Sequence, residues 1–136
     1  DYGNADTVSS SIRGIKDHKF VSALQEPGLI DLSADVDFKA LKYGVDLIKD
    51  MECTNIVGQG SFLKNMGIDY RMGALLTNAK NDDELAEQLI SGYERLVDGN
   101  DGMGDLYKVM GIYNKNTKHV VGGKENQITG FFEPSK

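Results

Sequence analysis

The chain has 136 residues, 40% of them apolar, enough for one domain with a core, and no apolar run approaches the roughly 18 residues of a membrane span. Its formal net charge of −6 argues against non-specific nucleic-acid binding, which rests on Lys and Arg meeting phosphates, and suits a basic partner as it suits many soluble proteins. A single cysteine, Cys53, excludes an internal disulfide and fits a reducing compartment; with only His18 and His119 beside it, a structural zinc site is not expected.

Residues 1–30 are rich in Ser, Gly, Asp and Lys, with Pro27-Gly28 as a turn signal, and read mostly as loop. Residues 34–50 read as a helix: Ala34, Phe38, Leu41, Val45 and Ile48 recur at spacings of three and four, and Ser33 is the expected N-cap. Residues 54–57 form a short strand candidate closed by Gly58 and Gly60. Ser61 is expected to cap a helical turn ending at Gly67, and Asp69 a helix to about Ala79. Residues 82–97 carry the strongest helical period, with Asn81 and Glu84 as a capping box and Asp98-Gly99 as the stop. DLYKVMGIY (105–113) reads as a buried strand, residues 114–126 as polar loop and 128–132 as a last strand. The chain is α/β in flavour, but two or three strands leave a sheet poorly covered, which suggests that part of it lies upstream of Asp1. A start at Asp1 without Met or a signal peptide is expected of a processed product or a piece of a longer chain.

Three motifs invite chemistry. DLSADVDF (31–38) sets Asp31, Asp35 and Asp37 within seven residues. Helix initiation accounts for all three, because negative charge is favoured in a first turn; a binding site remains the alternative. VGQGSF around Gln59 follows a strand and precedes a helix, as dinucleotide loops do, yet holds two of three glycines and lacks the acid of a following strand; a tight turn explains it as well. DGNDGMGDLYKV (98–109) has the flavour of a calcium loop but places Met103 where glycine belongs and Val109 where a glutamate belongs. Ser9, Ser10 and Ser11 near His18 lack a nucleophile elbow. Tyr2 stands at a strand end, where ligands of open α/β sheets bind, or is a partly buried loop aromatic.

In order, DYG, TVSSSIRGIKDHKF, PGLIDLSADVDFKAL, GQGSFLKNMGID and DGMGDLYKVMGI resemble the MidA-like family of S-adenosylmethionine-dependent methyltransferases, over almost the whole chain. FLKNMGID and DHKF are most similar to its mitochondrial branch, arginine methyltransferases that assist respiratory complex I assembly. The resemblance implies a Rossmann-like sheet of which residues 1–136 are the C-terminal part of a single domain, with a helical insertion at about 61–97. Residues 105–113 would run antiparallel between the strand ending in DYG and that at 54–57. The family's glycine-rich cofactor loop, its ribose-binding acid and its Asn-Glu motif have no counterpart here. The fragment alone is therefore expected neither to bind S-adenosylmethionine nor to turn over.

The implied activity is symmetric dimethylation of an arginine in a complex I core subunit, in the mitochondrial matrix, with S-adenosylmethionine as methyl donor, no nucleic-acid partner and no metal. Tyr2, His18, Asp35 and Asp37 become the candidate catalytic residues, and Asp1 and Gln59 the candidate substrate-binding ones. A carboxylate at Asp35 or Asp37 would hold the substrate guanidinium and also cap the helix. The family usually has Thr before that glutamine; here Gly58 leaves a hydroxyl role there in doubt. The alternatives are a non-catalytic interaction module, with 61–97 as its contact surface, an inactive truncated fragment, and a different cofactor enzyme in which VGQGSF holds phosphate.

Overall fold

The computed structural model describes residues 2–4, 11–100, 102–117, 120–121, 124–125 and 128–131. Strand β1 (Gly3–Asn4) is followed by β2 (Arg13–Lys16), β3 (Lys19–Val21), β4 (Asp31–Ser33) and β5 (Val36–Asp37). β1 and β5 are parallel neighbours, with Gly3 opposite Val36, and Val36 N donates to Tyr2 O at 2.7 Å. Between them β2, β3 and β4 form a separate antiparallel sheet in the order β3-β2-β4. The expected loop at 1–30 therefore contains a hairpin. Its two-residue turn, Asp17-His18, has φ of 50° and 59°, the left-handed pair whose twist matches the flanking strands. Asp and His tolerate that region better than most residues, so the turn forms without the Asn-Gly signature that would have announced it.

Helix α1 (Phe38–Asp46) is shorter than the expected 34–50. Its N-cap is Asp37, whose Oδ1 accepts from Ala40 N at 2.9 Å, and not Ser33. Pairing of β5 with β1 holds the residues before Asp37 extended, so neither Asp35 nor Asp37 lies within the first turn. Phe38 and Val45 are buried, whereas Leu41 and Ile48 of the expected apolar face stay 45% and 56% exposed.

Strands β6 (Met51–Cys53) and β7 (Val57–Gly58) replace the single strand expected at 54–57. Helices α2 (Gln59–Asn65), α3 (Ile68–Asn78) and α4 (Asp83–Val97) follow, then β8 (Lys108–Val109) and β9 (Ile112–Asn114). β9 pairs antiparallel with β6, and β8 with β7. From Cys53 to Val57 is four steps, but their partners Ile112 and Val109 are three apart, so the 51–58 side holds one extra residue, a bulge. Thr54 bounds it, donating N–H to Gly111 O and accepting Gly111 N–H on Oγ1, both at 2.9 Å. The strand expected at 105–113 is interrupted there. Tyr107 bridges antiparallel to Tyr2, so residues 107–114 run between β1 and residues 51–58.

The helices have different caps from those expected. Gly58 precedes α2, and Gly67 (φ 83°) precedes α3, in place of Ser61 and Asp69. Asp82 Oδ1 accepts from Leu85 N at 3.0 Å, one residue away from the expected Asn81 box. Tyr93 Oη donates to Asp69 Oδ1 at 2.7 Å and joins α4 to α3. The expected polar loop contains the pair β10 (Val120–Val121) and β11 (Lys124–Glu125). Residues 128–131 form a turn closed by Phe131 N to Ile128 O at 3.2 Å, not a strand, and Phe131 packs on Phe62 at 5.3 Å; Phe132 lies outside the described residues. The architecture is α/β. Among the described residues no helix is long and apolar enough to cross a membrane. Phe38, Val45 and Ala79 are the buried hydrophobic residues among those described, while Leu24, Tyr70 and Phe20 are 91%, 89% and 76% exposed.

Candidate active site

The parallel pairing of β1 with β5 fixes the neighbourhood of Tyr2. Its backbone carbonyl holds Val36, and the residue before Val36 is Asp35. The small sheet returns at this point: Ser11 Oγ accepts from Asp35 N at 3.0 Å, and two residues on, Arg13 reaches Asp35 with Nη2 2.6 Å from Oδ1. Both side chains are about 30% exposed, so this ion pair is partly screened. Arg13 Cζ also lies 5.5 Å from the centroid of the Tyr2 ring, within cation–π range. The opposite neighbour of Tyr2 is Tyr107, their ring centroids 4.4 Å apart and tilted by 44°. A side-chain hydrogen bond with Tyr2, then burial, raise the Tyr107 phenol above its usual range. Tyr2, Tyr107, Arg13 and Asp35 thus form one continuous group at the junction of two sheets.

Asp37 stands two residues beyond Asp35 and is engaged as the cap of α1. Gln59 reaches the group through the backbone, its N–H donating to Tyr107 O at 2.9 Å, while its side-chain Nε2 donates to Leu96 O at 2.9 Å. Its amide is therefore tied to the end of α4. His18 is not part of the group. It sits in the hairpin turn beyond Lys16, whose end of β2 lies three steps, roughly 10 Å, along the strand from Arg13. There it lines a cavity of about 370 Å³ with Lys16, Asp17, Leu29 and Asp31. Asp1 lies outside the described residues. Arg13 and Tyr107 were not singled out by the sequence: both sit inside family-like blocks, but no spacing marks them.

VGQGSF is a packing turn. Gly60 N donates to Gly104 O at 2.8 Å and Gln59 N to Tyr107 O, so the first amides of α2 already have partners. A Cβ on Gly60 would stand 2.5 Å from Val97 O, which closes the space a phosphate would need. The described residues form no cradle for a nucleoside cofactor at this turn. Among the described residues no group of three or more His, Cys, Asp or Glu side chains could hold a metal ion.

Comparison with known proteins follows the same direction. Residues 1–57 match the family model of S-adenosyl-L-methionine-dependent methyltransferases. The chain is 40% identical, over 84% of its length, to the mitochondrial protein arginine methyltransferase NDUFAF7 of Danio rerio, and 36% over 96% to that of Xenopus laevis. It resembles this methyltransferase family over nearly all its length. S-adenosylmethionine is the family's cofactor. The chain spans about a quarter of these relatives, 26% and 29%. Two crystal structures from Burkholderia thailandensis superpose with TM-scores of 0.62 and 0.58, each at 22% identity over 76% of this chain and 26% of the other; the second is bound to S-adenosyl-homocysteine. At that identity they show a shared fold. The relatives are named mitochondrial.

Proposed function

We propose that residues 1–136 form the C-terminal, substrate-facing part of a Rossmann-like protein arginine methyltransferase domain, with the S-adenosylmethionine loop carried by sequence upstream. The identity of 36–40% to arginine methyltransferases across most of the chain carries this reading. The substrate is a protein arginine, dimethylated symmetrically, in a complex I core subunit of the mitochondrial matrix. Tyr2 and Asp35 each stand one residue before the paired residues of β1 and β5, side by side. There a carboxylate meets a planar guanidinium through charge-assisted hydrogen bonds and fixes its plane. With S-adenosylmethionine bound, that orientation would let a guanidinium nitrogen take the methyl group in line as the sulfur–methyl bond breaks, the nitrogen's proton passing to solvent. Asp37 holds the start of α1 beside this carboxylate, while substrate-side roles for Asp1, Gln59 and His18 rest on the resemblance.

The test is methyl transfer by the chain lengthened upstream to the extent of its relatives, with isotopically labelled S-adenosylmethionine and mitochondrial protein as acceptor. Label is expected as symmetric dimethylarginine. Label on another residue type, or none, contradicts the reading.

A further inference from the structure

Arg13 is used by none of the roles described so far. It belongs to β2 of the small antiparallel sheet, yet its side chain leaves that sheet to meet two groups of another. One is Asp35, at 2.6 Å; the other is the face of Tyr2, at 5.5 Å. Two other links hold Asp35 near this sheet: Ser11 Oγ accepts from Asp35 N, and β4, paired with β2 at Arg13 and Ser33, ends two residues before Asp35. A lysine at position 13 could supply the charge but not a plane that stacks on the ring while one edge meets the carboxylate. The arrangement leaves Asp35 Oδ1 committed to an internal guanidinium. Tyr2 is held from both faces of its strand neighbourhood: by Arg13 over the ring and by Tyr107 4.4 Å away.

We propose that Arg13 is a positioning residue. It orients Tyr2 and Asp35 as one unit for the substrate guanidinium, and so couples the placement of the β2–β4 sheet to catalysis. This rests on the methyltransferase reading above. The rival for the same geometry is that Arg13 merely occupies the guanidinium site and competes with substrate. The two differ in sign. Loss of a positioning group lowers kcat, whereas loss of a competitor lowers the substrate KM and leaves kcat intact or raised.

The experiment compares Arg13→Met, Arg13→Lys, Asp35→Asn and Arg13→Met/Asp35→Asn in the lengthened protein, with isotope-labelled tyrosine for ring resonances and a thermal melt for folding. Arg13→Met is expected to lower kcat about ten- to a hundredfold, the scale of a small misplacement of a reacting group, with the KM for S-adenosylmethionine unchanged. Arg13→Lys should recover part of the loss, and the double variant should be little worse than Asp35→Asn, as for a residue that acts through the other. The Tyr2 ring resonance should move in Arg13→Met and Asp35→Asn. A lower substrate KM with kcat kept, or additive losses in the double variant, overturns the proposal. An unmoved Tyr2 resonance in a folded Arg13→Met protein overturns it without any assay. Absence of arginine methylation by the unsubstituted protein sinks the function proposed above and the catalytic half of this inference with it; the resonance still decides whether Arg13 orients Tyr2.

Discussion

Some side chains do a single structural job whose loss can be measured. Asp37 caps α1 through one hydrogen bond to Ala40 N. Asp37→Ala should cost about 1 kcal/mol of stability, the usual scale for a lost cap, read as a lower denaturant midpoint with an unchanged slope. Ser33→Ala, at the cap position expected from sequence, should leave α1 intact. Tyr93 supplies a pH signature. Its hydrogen bond to Asp69, then burial, raise its phenol above 10.0. The folded chain therefore keeps the proton to higher pH than the unfolded chain. The stabilisation is present below the unfolded value and is lost as pH rises through the folded one. Stability should fall with rising pH above about 10, and less steeply in Tyr93→Phe; Tyr107 and Tyr113, also raised, contribute in the same direction.

Between elements, close backbone approach decides more than side-chain pattern. α2 begins against the end of α4 and Gly104, and Gly60 is the point of contact. Gly60→Ala should destabilise by about 1–3 kcal/mol, as overpacking does, through displacement of Val97 or Gly104. The substitution should leave any nucleotide affinity where it was; loss of such affinity in a folded variant would restore the phosphate-loop reading of VGQGSF. The elements legible in the sequence were those set by local periodicity and a stop, α4 above all, from the spacing of Leu85, Leu89, Tyr93 and Leu96 up to Asp98. Elements set by tertiary pairing were not. β2 and β3 lack strict alternation and turn through Asp17-His18, and the bulge near Thr54 divides what read as one strand into two. DLSADVDF offered three plausible caps, and only pairing of β5 with β1 selects Asp37. At the site the sequence pointed to Tyr2 and Asp35, while Arg13 became visible only when the sheet brought it across.

At the scale of the whole molecule, the buried apolar residues among those described are few, and many large apolar side chains face outward. Leu75 and Leu96 line a cavity of about 320 Å³ between α3 and α4 and are 48% and 39% exposed; Leu32 and Leu47 are 66% and 69% exposed. Residues 1–136 alone should therefore bind a hydrophobic dye or self-associate, and on the function proposed above the lengthened chain should do so less. Equal dye binding per molecule in the two would count against that. The same division of the molecule underlies the function proposed for it: substrate-facing side chains here, cofactor loop elsewhere. The most direct test is calorimetric titration of S-adenosylmethionine into residues 1–136 and into the chain lengthened upstream by about 200 residues, roughly one further domain. The account predicts binding to the longer chain and none to the shorter. Tight binding by residues 1–136 would mean that a complete cofactor pocket lies within them, and would contradict it.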